Sequence, residues 1–268
     1  NKDLEITNTV IGSLSSAVGH TSSSVMIDKD KVFQMGGVQT GEFLSSNQSN
    51  LIDFSDSRNP KIIKKADMHY PRSWHNSLIL PNGNVFVNGG YLKDDDEFTW
   101  YEPEIYNVEK NEWSIMSPAH FRRNYHSSSL LLPDGSILVG GSDMWNAEIF
   151  YPPYLFENSW GSKPTFAKRP KILDVKNLIK ARGEHIIKTD NSTAIQKITL
   201  ISNGSGTHAQ NSELKVIYPK FKRIDENTIS YQIDFNKNYV QDGSYLLFLL
   251  NNSGTPSVGE VVTIRTTS

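Results

Sequence analysis

Two places in the chain carry side chains able to do metal or proton chemistry. Tyr125 and His126 are neighbours in Arg122-Arg123-Asn124-Tyr125-His126-Ser127-Ser128-Ser129, which runs into an apolar stretch, Leu130-Leu131-Leu132. His208 stands far downstream, in Gly206-Thr207-His208. A phenol holds or passes a proton, and imidazole nitrogen with phenolate oxygen offers a metal mixed N,O donors. A functional reading requires the distant histidine to reach the adjacent pair. It also requires a local irregularity. Successive residues of a strand point to opposite faces, so Tyr125 and His126 can serve one ion only at a distorted strand start. Gly204 and Gly206 give the His208 loop the close backbone approach that reaching inward would need.

The elements that must position these residues are repeats. His20, His75 and His126 align at intervals of about 50 residues, a period typical of four-stranded kelch blades. After each comes a short apolar strand, then a turn: Asp28-Lys29-Asp30-Lys31, Pro81-Asn82-Gly83, Pro133-Asp134-Gly135. A second strand then leads to Gly36-Gly37, Gly89-Gly90 or Gly140-Gly141. Asn-Gly and Asp-Gly supply the positive φ angles of tight hairpins. Two prolines in Tyr151-Pro152-Pro153-Tyr154 end the pattern, because proline cannot continue a central strand. Seven further short strands follow without the phrase, among them the apolar run 245–250, read as a buried strand. The expected fold is all-β: a partial kelch β-propeller over residues 1–156, then an immunoglobulin-like β-sandwich over 165–268. Three blades do not close a ring. The expectation is therefore that they are the last blades of a larger, seven-bladed propeller, with residues 1–16 the tail of a preceding blade and the missing N-terminal blades supplied by the same parent chain or by a second chain.

Composition bounds the rest. The chain has 268 residues, is 37% hydrophobic and has net charge -2, which argues against an electrostatic grip on nucleic acid. No run is long and apolar enough to span a bilayer, and Asn1-Lys2-Asp3-Leu4-Glu5 is not a signal peptide. Cysteine is absent, so this chain makes no disulfide and no thiolate ligand. Four Asn-x-Ser/Thr sequons, at Asn47, Asn191, Asn203 and Asn251, are open between chance and a secreted origin.

Taken together, Arg-x-Tyr-His-Ser, Leu-Leu-Leu-Pro-Asp-Gly, Pro103-Glu104-Ile105-Tyr106, Arg169-Pro170-Lys171-Ile172, Gly206-Thr207-His208 and Gly254-Thr255-Pro256-Ser257-Val258 resemble galactose oxidase and glyoxal oxidase, the copper radical oxidases. The resemblance covers nearly the whole chain and matches the C-terminal part of those enzymes. It implies a secreted enzyme that oxidises a primary alcohol, sugar or small aldehyde with O2, giving H2O2. It implies one copper ion held by Tyr125, His126 and His208, with Tyr125 the axial ligand and proton acceptor. It also implies a tyrosine cross-linked to cysteine, which must come from upstream blades because this chain has no cysteine. Phe98 and Trp100 are the weak candidates for a substrate-contacting aromatic. Ser212-Glu213-Leu214 departs from the Asp-Gln-Arg that often follows the histidine loop in the family.

The remaining candidates read as structural. His20 and His75 share the repeat position of His126, and not all three can bind one ion. His69, His120 and His185 have no convergent partners. The five tryptophans, Trp74, Trp100, Trp113, Trp145 and Trp160, suit blade packing, with Trp74 or Trp100 able to face a mouth. Asp94-Asp95-Asp96-Glu97 suits a solvated loop better than a calcium site. The competing functional reading is a metal-free propeller and sandwich module that binds carbohydrate or protein.

Overall fold

The computed structural model describes residues 21–38, 44–93, 98–157 and 163–266. His20, Trp160, the acidic run 94–97 and the proposed blade tail 1–16 lie outside them. Among the described residues there is no α-helix, only strands and short 3-10 turns.

Three antiparallel up-and-down sheets come first. Strands β1 (Ser23–Asp28), β2 (Lys31–Met35), β3 (Ser49–Asp53) and β4 (Lys61–Lys64) form the first. Strands β5 (Asn76–Ile79), β6 (Val85–Asn88), β7 (Glu104–Asn107) and β8 (Glu112–Ile115) form the second. The third holds β9 (Ser127–Leu131), β10 (Ile137–Gly141) and β11 (Met144–Phe150). The opening strands β1, β5 and β9 lie beside one another, as at the hub of a propeller. The second sheet is flanked on both sides, and every residue of β5 and β6 is buried. Such double burial explains why Leu78-Ile79 and Val85-Phe86-Val87 are unbroken apolar runs. Between the first two sheets, Phe33 stacks on Tyr106 at 4.4 Å with Trp113 beside them.

Each of the second and third sheets is tied by a buried arginine. Arg72 donates to the Gly89 carbonyl at 2.7 Å and pairs with Glu104 at 3.2 Å, both side chains fully buried. Arg123 donates to the Gly141 carbonyl at 3.1 Å and to Asn146 at 2.7 Å, and lies 3.5 Å from Glu148. His69 and His120, three residues earlier, sit on the same two glutamates. Gly89 is required here: a Cβ on it would lie 1.8 Å from the Arg123 carbonyl oxygen.

After a two-stranded link, β12 (Phe156–Glu157) with β13 (Thr165–Phe166), the C-terminal region forms two facing sheets. One is ordered β14 (Ile172–Val175), β16 (Glu184–Thr189), β22 (Thr228–Gln232), β21 (Lys220–Asp225). The other is ordered β15 (Leu178–Lys180), β24 (Glu260–Arg265), β23 (Gly243–Asn251), β17 (Ile195–Ser202), β20 (Val216–Ile217). A small hairpin, β18 (Ser205–Thr207) with β19 (Gln210–Ser212), projects from this half. Strand β23 explains the apolar run 245–250. Tyr245, Leu247 and Leu249 enter the sandwich core, whereas Leu246, Phe248 and Leu250 join the core of the three-sheet half. Period-2 alternation with both faces buried leaves no polar position. Burying each such Leu or Phe stabilises by about 1.5–3 kcal/mol, so this strand cements the two halves. Hydrogen bonds from Thr199 to the Pro81 carbonyl (2.9 Å) and from the Gly259 amide to the Pro133 carbonyl (2.7 Å) fix how the halves meet.

Candidate functional site

The irregularity required at Tyr125 is a turn. The Ser127 amide donates to the Asn124 carbonyl at 2.9 Å, closing a turn with Tyr125 and His126 at its corner. His126 has φ +63°, in the left-handed region that non-glycine residues seldom enter. The pair therefore precedes the regular strand, and the strict alternation of faces does not apply to it. Their ring centroids lie 3.7 Å apart. The turn is held from outside: Asn124 is buried and donates to Thr99 at 2.9 Å, and the Tyr91 hydroxyl accepts the Tyr125 amide at 3.4 Å.

His208 arrives on the projecting hairpin. Thr207 pairs with Gln210, leaving His208 and Ala209 as a two-residue loop. Their φ values are +52° and +58°. Two positive φ angles are the type I′ hairpin geometry, which usually takes Asn-Gly. Here two residues with side chains occupy it, at a cost of about 1–3 kcal/mol each. The hairpin lies among the hub strands, β18 against β9 and β19 against β1 and β5. Ala209 is buried there, which anchors the loop behind the histidine. Gly204 at the hairpin base is also close-packed: a Cβ there would lie 2.9 Å from the Ser212 carbonyl oxygen and would displace the Asn211 side chain.

The result is convergence. The His208 ring centroid lies 5.4 Å from that of Tyr125 and 5.2 Å from that of His126. Both histidines are exposed, and Tyr125 is 36% exposed, so solvent-borne molecules reach the cluster. Thr207 Oγ1 stands 2.6 Å from His208 Nδ1. Among the described residues no group of three or more His, Cys, Asp or Glu side chains is placed to hold a metal. The cluster is instead two imidazoles and a phenol.

The other candidates divide. Trp100 donates to the Pro71 carbonyl at 2.7 Å and lies tilted against Tyr70 at 4.5 Å; it is a packing residue with no ring contact to the cluster. Phe98 is half exposed and likewise makes no ring contact with it. Trp74, read mainly as packing, meets Tyr125 edge-on at 4.5 Å. Trp145 departs from the packing expectation, for it is fully exposed on β11. His75 is buried, and its pKa is pushed down to about 3 by burial and by Arg72. His185 bonds the Lys180 carbonyl at 2.8 Å. The sequence offered Trp74 as able to face a mouth, and it aligns with Tyr125 one repeat earlier; Tyr91 and Thr207 were missed, and neither carried a signal.

Comparison with known proteins follows the same geography. Residues 169–264 match the family model for the galactose oxidase-like early set domain. A galactose oxidase of Gibberella zeae is 34% identical over 209 residues, 74% of this chain and 30% of that protein. An aldehyde oxidase of Arabidopsis thaliana is 25% identical over 238 residues, 75% of this chain and 37% of that protein. Among solved structures, a fungal alcohol oxidase in complex with copper matches with TM-score 0.82 and 25% identity, covering 92% of this chain and 54% of that one. The chain thus spans about a third of the length of these curated relatives.

Proposed function

Because this chain is homologous to galactose oxidase and the glyoxal oxidases, and carries a galactose oxidase-like early set domain, we propose that it is the C-terminal part of a secreted copper radical oxidase. The whole enzyme would oxidise a primary alcohol or small aldehyde with O2, giving the aldehyde or acid and H2O2. Residues 1–156 would be late kelch blades and 165–268 the sandwich domain. The observation that carries the reading is the meeting of Tyr125, His126 and His208 from two halves of the chain, with centroids 3.7–5.4 Å apart.

The donor set fits copper: Cu(II) favours tetragonal N,O coordination, and the cluster offers two imidazoles and one phenol. His126, His208 and Tyr125 would hold the ion. Copper, with a cross-linked tyrosine–cysteine group from outside this chain, would supply the two one-electron oxidising equivalents that alcohol oxidation needs. Tyr125 Oη would take the proton of the substrate hydroxyl, since the ring is open to incoming molecules. Trp74, edge-on to Tyr125, would limit how that ring swings. Exposed Phe98 is the better of the two weak substrate-wall candidates, since Trp100 is held by Pro71 and Tyr70.

The test is H2O2 release by the copper-loaded protein containing this chain, with galactose, glyoxal and glycerol as substrates. Peroxide is expected with at least one of them, and Tyr125→Phe should lower kcat by about 100-fold or more, as loss of a general base does. No peroxide from a protein with bound copper would contradict the oxidase reading and favour a binding module.

A further inference from the structure

The short contact between Thr207 Oγ1 and His208 Nδ1, 2.6 Å, has two possible polarities with opposite consequences. If the hydroxyl donates, Nδ1 is the acceptor and the neutral ring carries its proton on Nε2, leaving no lone pair there for a metal. If Nδ1–H donates, Nε2 is bare and the ring is ready to ligate. We propose that Thr207 is a positioning residue that accepts from Nδ1–H and thereby sets the tautomer in which His208 offers Nε2. This inference rests on the copper reading above and adds to it how one ligand is prepared before metal arrives.

Three features support it. Thr207 is itself fixed, because it pairs with Gln210 in the hairpin ladder and a β-branched side chain has a restricted χ1. The backbone of His208 is fixed as well, by the left-handed pair His208-Ala209 and by burial of Ala209. The remaining freedom is rotation of an exposed imidazole, and a bond at Nδ1 removes it. Metal-binding histidines are oriented in general by a partner on the second ring nitrogen, most often a carboxylate or backbone carbonyl. Here the partner is a hydroxyl from the adjacent residue, so orientation and ligand travel on the same hairpin.

The experiment uses the copper-loadable protein containing this chain, with Thr207→Val, Thr207→Ser and His208→Ala. Valine keeps the shape and suits a strand, so the hairpin is retained; equal thermal midpoints check this. Cu(II) affinity is read by chelator competition, and nitrogen hyperfine couplings by electron paramagnetic resonance. Thr207→Val should weaken copper binding by about 10–100-fold and alter the nitrogen couplings, whereas Thr207→Ser should restore both. If His208→Ala loses copper while Thr207→Val binds it as the wild type does, or more tightly, the positioning role is overturned and the copper reading stands. If His208→Ala binds copper as the wild type does, the copper reading fails and this inference with it.

Discussion

Arg72-Ser73-Trp74-His75 and Arg123-Asn124-Tyr125-His126 occupy the same place in successive sheets, yet only the second forms part of a candidate site. Their frames agree. In both, a buried arginine bonds the carbonyl of a glycine and pairs with a glutamate two strands on, which also accepts from a histidine three residues before the arginine. They part at the last two residues. In the second sheet the left-handed residue is Trp74, φ +54°; in the third it is His126, φ +63°. The histidine after the left-handed tryptophan is buried against Gly36, whereas the left-handed histidine is exposed beside the hairpin. A one-residue shift in where the chain turns separates a histidine used for packing from one available to a ligand.

The comparison can be broken in three ways. The largest effect concerns His75. Its folded pKa is about 3 against 6.5 for the ordinary group, so below pH 6.5 the unfolded chain takes up a proton that the folded chain refuses. The associated stability is complete above pH 6.5 and is lost as pH falls toward 3, roughly 4–5 kcal/mol in all. Urea unfolding at pH 7 and pH 5 should show His75→Asn losing about 2 kcal/mol less over that interval than the wild type. Equal slopes would mean that His75 titrates normally.

Next come the arginines. Arg72→Met removes the guanidinium partner of buried Glu104, leaving it only His69 and the His69 and Tyr70 amides, and should cost about 3–5 kcal/mol in denaturant unfolding. Arg123→Met should cost less, about 1–3 kcal/mol, because Glu148 is partly open to water. Equal losses would show the two frames to be equally dry. The smallest effect joins the two phrases. A double-mutant cycle of Trp74→Leu and Tyr125→Leu should give a coupling of about 0.5–1.5 kcal/mol for the edge-on pair, and a coupling of zero would deny the contact any role in holding the phenol.

Much of this architecture was legible in the chain. The recurring histidine phrase, the Asn82-Gly83 and Asp134-Gly135 turns and the glycine pairs mark the three sheets, because each reports a backbone geometry few residues satisfy. The apolar run around Phe248 marks a strand buried on both faces. Other features left no local trace. Strand β21 carries Phe221 and Ile224 among exposed charges, too sparse a pattern to read as a strand. The His208-Ala209 loop lacks the Asn-Gly signature of its turn type, since the surrounding hub holds it in place. The Arg72–Glu104 and Arg123–Glu148 pairs join residues 32 and 25 positions apart, which no periodicity reports. Tyr125, His126 and His208 were picked out by residue type and by resemblance, but the turn and the hairpin that bring them together are tertiary facts.

The central claim is that one hairpin of the sandwich delivers an imidazole to the tyrosine–histidine turn to make a shared copper site. Electron paramagnetic resonance of the copper-loaded protein tests it most directly. The account predicts nitrogen couplings from two histidines in the wild type and from one in each of His126→Ala and His208→Ala. A wild-type spectrum that neither substitution alters would contradict it.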